Sequence, residues 1–178
     1  MTIPEEVQQL LATLRDAGCQ GYVVGGCVRD LLMGRTPKDW DITTNAAPEA
    51  LQKLFPESFY ENTFGTVTVK TGSDDPILAQ VQITPYRIET TYSDKRHPDQ
   101  VRFAAELNED LSRRDFTVNA MAMAPDGSIT DLFGGQDDLK QKIIRAVGNP
   151  QERFSEDALR ILRAVRFATA LDFAIEPG

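Results

Sequence analysis

The chain is 178 residues long, room for one ordinary domain or for one domain and the start of another. Its 41% hydrophobic residues suffice for a core, while a formal net charge of −8 excludes an overall basic surface that would hold nucleic acid by charge alone. No apolar run is long enough to span a membrane and no N-terminal signal is visible, so a cytoplasmic protein is expected, with Cys19 and Cys27 as buried free thiols of a reducing compartment.

In chain order, residues 4–17 carry Val7, Leu10, Leu11 and Leu14 at helical spacing, with Pro4 at the start and Gly18 as the stop. Tyr22–Val24 reads as a short buried strand, Val28–Met33 as a helix closed by Gly34, and Trp40–Thr43 as a second strand. Pro48–Leu54 is helical, with Thr44 or Asn45 near its start. Thr66–Lys70 and Leu78–Ile88 have strand character, separated by the turn-rich TGSDDP, and the polar residues 92–100 read as a loop. Pro85 within that second run hints at an edge strand or a bulge. Ser128–Leu132 reads as a short strand, and from Pro150 onward the pattern is helical, with Ser155 as N-cap before Glu156 and Asp157. Mixed elements followed by a helix-rich end predict an α+β catalytic domain leading into an all-helical region. The chain stops at Pro177-Gly178 straight after a long helix, as a truncated piece of a longer protein would.

The stretch Tyr22 to Asp41, YVVGGCVRDLLMGRTPKDWD, concentrates the chemistry. Gly25-Gly26 lets backbone approach a phosphate closely, the following helix start favours an anion, and Arg29 can add a charge-assisted contact. Asp30 reads as fixing Arg29 or the turn. Asp39 and Asp41 at i and i+2 face the same side of a strand and together can share a Mg²⁺ ion. Each half alone has a plainer reading, as an ordinary strand-to-helix turn or as two solvated aspartates after Pro37. The joint order of a phosphate turn and then a carboxylate pair is what nucleotidyl transfer needs.

That joint order resembles the signature of class II tRNA nucleotidyltransferases, the CCA-adding enzymes, and their bacterial poly(A) polymerase relatives. Further segments match in the family's order: FGTVTV at 64–69, DKRHPD at 94–99, RRDFTVNA at 113–120, DLFGGQDDL at 131–139, and the run from Arg153 to Phe167 that resembles the nucleotide-selecting neck helix. The resemblance implies a polymerase-β-like nucleotidyltransferase head, with a small mixed sheet and flanking helices, over residues 1–145. The start of a helical neck would follow over 146–178. It implies template-independent addition of CMP, CMP and AMP to the 3′ end of tRNA from CTP and ATP, with Mg²⁺ as cofactor, tRNA as partner, no membrane and no obligate protein partner. By the same resemblance Asp39 and Asp41 are the metal and catalytic residues. Gly26, Arg29 and Arg114 contact the nucleotide, Asp157 and Arg160 bond the base edge, and Arg163 and Arg166 are neighbouring nucleotide-site arginines. Asp115 would orient side chains locally, and His97 is assigned no catalysis. A poly(A) polymerase or a CC-only or A-only enzyme is the nearest alternative, and the intact 94–99 segment argues against CC-only. A nucleotide-binding module without catalysis is the alternative from another class.

Two details carry their own expectations. At ~100° per residue, Ala158, Ile161, Leu162, Val165 and Ala168 fall on one arc and Glu156, Arg160, Arg163 and Arg166 roughly opposite. The apolar arc is expected to pack on the head and leave the charged arc facing a cleft, although ion pairs on a solvated face would give the same pattern. Gln82 stands where the family commonly has a third acid beside the metal pair. Glutamine takes no proton and binds Mg²⁺ more weakly, and Glu89 has the opposite strand parity.

Overall fold

The computed structural model describes residues 2–60, 65–89 and 101–177. The first helix, α1 (Glu5–Asp16), buries Val7, Leu10, Leu11 and Leu14, the stripe that its periodicity marks. The chain then runs through β1 (Gly21–Val24), α2 (Gly26–Leu32), β2 (Asp41–Thr44), α3 (Pro48–Leu54), β3 (Ser58–Tyr60), β4 (Val67–Lys70) and β5 (Gln80–Pro85). Next come β6 (Arg87–Glu89), β7 (Val101–Phe103), α4 (Leu107–Ser112), a 3₁₀ turn at Thr117–Asn119, β8 (Met121–Met123) and β9 (Ile129–Asp131). The last elements are α5 (Gly135–Gln141), β10 (Ile143–Ile144), α6 (Pro150–Glu156), α7 (Leu159–Leu171) and β11 (Ala174–Ile175).

Seven strands form one sheet in the order β3-β4-β5-β2-β1-β8-β9. Every neighbouring pair is antiparallel except β2 with β5, so the sheet is mixed. Alternation along the strands gives it two unlike faces. On one face Val23, Ile42, Ile83, Val81, Val67 and Val69 join the α1 stripe and Leu51 of α3 in the main core. Burying side chains of this kind contributes about 1.5–3 kcal/mol each. The other face is apolar at β1 and β8, where Val24 and Ala122 pack with Leu111, and polar across β2, β5 and β4. Thr43 pairs with Thr84 across β2 and β5, and Thr84 reaches the Thr66 hydroxyl at 3.1 Å. In the adjoining row Asp41 pairs with Gln82, and Gln82 with Thr68.

Several local expectations are corrected. The run Leu78–Ile88 is not one strand: β5 ends at Pro85, and β6 pairs with β7 in a separate two-stranded sheet. β5 lies inside the main sheet rather than at its edge, because Pro85 occupies its last position, where its missing N–H breaks no ladder; Tyr86 N–H resumes donation, to the Thr44 carbonyl at 2.6 Å. The helical run from Pro150 is broken at Asp157. Asn149 caps α6 by accepting from Gln151 N–H at 2.9 Å, Ser155 lies within α6, and Asp157 accepts from Leu159 N–H at 2.9 Å at the start of α7. The helix α3 runs from Pro48 to Leu54 as expected, and the Thr44 hydroxyl near its start accepts from Ala46 N–H. Cys27 is buried, whereas Cys19 is only half-buried, and both are free thiols. No helix among the described residues is long and apolar enough to cross a membrane.

The α7 expectation fails for most of the apolar arc and for Arg160, although Ala168 packs inward and Arg163 and Arg166 stay exposed. Ile161, Leu162 and Val165 are 51%, 66% and 53% exposed, while Arg160 is only 5% exposed. The face turned inward carries Ala164, Phe167, Ala168 and Leu171, which pack with Phe116, Val118, Ile144 and Phe173 in a second cluster. Arg160 tolerates burial because its guanidinium is bonded by Glu156 at 2.7 Å and by the Arg153 carbonyl at 3.2 Å. After α7 the chain returns as β11, parallel to β10, and Glu176 pairs with Arg145.

Candidate active site

The site is assembled at the end of β1, where α2 starts beside β2. Gly25 has φ of +82°, a conformation costly for any residue with a Cβ, and its N–H donates to the Met121 carbonyl of β8 at 3.2 Å. A Cβ on Gly25 would stand 3.1 Å from Arg114 Nη1, and one on Gly26 would stand 3.5 Å from Arg29 Nη2. Two guanidinium groups therefore close over the double glycine, one on each residue. This is a stronger reason for anion affinity than the two-turn helix that follows.

Both arginines are held from behind. Arg29 Nε donates to Asp30 at 2.9 Å, and its Nη1 donates to the Asn119 side-chain oxygen at 2.6 Å. Asp30 thus fixes Arg29, as its place in the sequence suggests. Arg114 Nη2 donates to Asp110 Oδ2 at 3.0 Å, while Arg113 donates to Oδ1 of the same carboxylate at 2.7 Å. Asp110 is fully buried on α4 and also accepts from the Thr43 hydroxyl at 3.2 Å, which pins α4 to the polar face of the sheet. Burial alone would raise its pKa, but Arg114 and Arg113 outweigh that and keep the carboxyl below the usual range. Arg114 Nε is buried and has no partner among the described residues.

Asp41 opens β2, with Asp39 exposed just before it. Burial, then the neighbouring Asp39 charge, pushes the Asp41 carboxyl up to about 6, and Arg114 pulls the other way. The β2–β5 register sets Gln82 directly beside Asp41, so the position expected for a third acid is indeed next to the pair. Thr68, one strand further, has a buried hydroxyl with no partner among the described residues. Among the described residues no group of three or more His, Cys, Asp or Glu side chains could hold a metal, so the carboxylate pair stands without a third.

The remaining expected residues lie on α6 and α7. Arg163 bonds the Asp115 carboxylate, with Nε at 2.7 Å, which gives Asp115 the orienting part expected of it. Arg166 is exposed. Asp157 is half-buried and spends one oxygen on the start of α7, while Arg160 is buried against Glu156. The 94–99 segment and His97 lie outside the described residues, as does Phe64 of the FGTVTV segment. Sequence reasoning missed Asp110, Asn119 and Phe167. Asp110 precedes Arg113 and Arg114 at helical pair spacing, a signal that was there to be read. Asn119 reaches Arg29 from 90 positions away, and no local pattern announces that.

Residues 21–145 match the family described as "Poly A polymerase head domain". The chain is 52% identical over 168 residues to the CCA-adding enzyme of Lactobacillus helveticus, an alignment covering 94% of this chain and 41% of that one. Its fold matches the Bacillus stearothermophilus CCA-adding enzyme in complex with CTP at a TM-score of 0.87, with 40% identity over 97% of this chain and 40% of that one. It also matches a tRNA nucleotidyltransferase complexed with a primer tRNA and an incoming ATP analog, at a TM-score of 0.70 and 35% identity, over 96% of this chain and 46% of that one. The chain thus spans less than half the length of these relatives. Because the mixed sheet from β1 to β9, the double-glycine turn, Asp41 and the Asp110–Arg114 support all lie inside the matched residues, the chain belongs to the poly A polymerase head-domain family, with the α+β fold of a polymerase-β-like nucleotidyltransferase head.

Proposed function

We propose that this chain is the head, over residues 1–145, and the start of the neck, over 146–178, of a cytoplasmic CCA-adding tRNA nucleotidyltransferase. The observation that carries the reading is the pair of arginines closed over Gly25 and Gly26 beside the raised Asp41 carboxyl. A triphosphate and the reacting 3′-hydroxyl must meet at such a place. Arg114 and Arg29 would hold the triphosphate against the Gly26 turn. Neither needs to be recruited from solvent, since Asp110, Asp30 and Asn119 already orient them, and preorganised charge is the larger part of such catalysis. Asp157 offers an acceptor and Arg160 a donor, an edge that suits the amino-bearing bases of CTP and ATP, with Arg163 and Arg166 beside them. The relatives that carry CTP or a primer tRNA with an ATP analog support this choice of substrates.

Asp39 and Asp41 fit a divalent cation: burial and then the Asp39 charge raise the Asp41 carboxyl, and a hard cation would relieve that repulsion. Mg²⁺ held there would activate the attacking 3′-hydroxyl of tRNA and stabilise the leaving pyrophosphate. Gln82 beside Asp41 supports a second reading, a nucleotide-binding module without catalysis, because the position supplies no proton acceptor.

Labelled CTP and ATP with a tRNA lacking its 3′ end separate the readings. The expected product is CCA-terminated tRNA, lost in Asp41→Ala with nucleotide binding retained. Poly(A) tails would replace the product assignment with a poly(A) polymerase, and binding without incorporation would favour the second reading.

A further inference from the structure

Phe167, on the inward face of α7 in the second cluster, lies where α2, α7 and Phe116 meet. Its half-buried ring has the Arg29 guanidinium carbon over it, 5.5 Å from the centroid, and that of Arg163 at 5.3 Å. It also meets the Phe116 ring edge-on, at 5.8 Å and 80°. Phe116 follows Asp115, which holds Arg163. Arg29 is gripped at its edges by Asp30 and Asn119, so the aromatic ring is its link to α7. The in-plane hydrogen bonds set how each guanidinium points. The ring sets how far apart they stand, because both are drawn to one quadrupole.

We propose that Phe167 is a positioning residue whose ring fixes the spacing between Arg29, on the phosphate-binding helix α2, and Arg163, on the nucleotide-selecting helix α7, and through that spacing sets which nucleoside triphosphate is accepted. This rests on the nucleotide-site reading given under Proposed function. A triphosphate anchored at one end by α2 and read at the other by α7 is measured against a fixed distance. Base discrimination survives only while that distance holds, since hydrogen-bond readout falls steeply with misplacement.

The test is equilibrium binding of CTP, ATP, UTP and GTP to the chain carrying phenylalanine, mono-, di- or trifluorophenylalanine at position 167, together with Phe167→Tyr and Phe167→Leu. Fluorination drains the ring quadrupole while nearly keeping its shape, so it reads the cation contacts without emptying the cluster. CTP and ATP affinity is expected to fall stepwise along the fluorine series and by about tenfold in Phe167→Leu. UTP and GTP affinity is expected to move much less, and Phe167→Tyr to stay near wild type. A flat fluorine series, or an equal loss for all four nucleotides, overturns the proposal while leaving the nucleotide site standing. A wild-type chain that binds no triphosphate overturns the site reading itself. If Phe167→Leu fails to fold, the fluorine series still decides.

Discussion

Asp110→Asn is the sharpest perturbation of the site's support, because it keeps the volume and removes only the charge. Asp110 is fully buried and accepts from Arg113, Arg114 and Thr43. Asparagine would turn an NH₂ toward one of these donors and leave two guanidinium groups without their counter-charge. Removing one member of a buried pair costs about 3–5 kcal/mol, but the Arg113 and Arg114 side chains are 14% and 20% exposed, so water recovers part of the loss and about 3 kcal/mol is expected. For a domain of this size that lowers the melting midpoint by about 6–12 °C. The pH dependence has a definite sign. The folded pKa is held below the ordinary carboxylate value, so the ion pairs contribute fully above about pH 4 and their contribution fades as pH falls through the folded value. Urea unfolding followed by far-UV circular dichroism should therefore show a gap between wild type and Asp110→Asn that is full at pH 7 and narrows progressively below about pH 4. A gap under about 1 kcal/mol at pH 7, or one that persists unchanged into acid, would refute the assignment of Asp110 as a buried charged anchor.

Asp41 titrates in the opposite sense. Its carboxyl is raised from 3.8 to about 6, so ionising it weakens the fold: in metal-free buffer the wild type should lose about 3 kcal/mol between roughly pH 4 and pH 7, and Asp41→Asn should escape that loss. Thermal melts that show no stabilisation of Asp41→Asn at pH 7.5 would contradict the raised carboxyl. Cys27 is buried beside the Val24 and Asp41 carbonyls and its thiol is pushed up to about 12, chiefly by burial. Iodoacetamide at pH 8 should leave it unmodified while half-buried Cys19 reacts, and peptide mapping that finds Cys27 alkylated in the folded chain would count against the packing around α2.

Much of the head was legible because local rules and tertiary packing agree there. The α1 stripe and the double-glycine turn each express themselves within a few residues, and the structure keeps both, whereas β2 starts only at Asp41 and leaves Asp39 just outside the strand. Short elements with little internal period were not legible: β3, α4, β8 and α5 went unread because neighbours distant in sequence fix them. Met121–Met123, for instance, is a strand because Val23 and Val24 on one side and Ile129–Asp131 on the other supply its ladders. Pro85 misled for the same reason, since its tolerance depends on standing at the last rung of β5, which only the register reveals.

The exposed Ile161, Leu162 and Val165 on α7 show where single-helix reasoning stops. An amphipathic wheel tells how residues divide around an axis, but not which side meets the neighbour. Here the head offers α7 a surface that is itself half charged, with Asp115 and the Arg113 carbonyl beside Phe116 and Val118. The complementary face is the one bearing Arg160, Arg163, Ala164 and Phe167, and it wins because its polar groups are satisfied on arrival. The more apolar arc of Ile161, Leu162 and Val165 finds no such partner among the described residues and stays exposed. Burying that arc against the head instead would have taken Arg163, itself half exposed, away from the buried Asp115 carboxylate. That cost, a few kcal/mol for each buried polar group left without a partner, is comparable to what the apolar side chains would gain. The same exchange brings the Phe167 ring of α7 to Arg29 of the phosphate turn. The packing choice that defeats the hydrophobic wheel is therefore the one that places α7 against the candidate site.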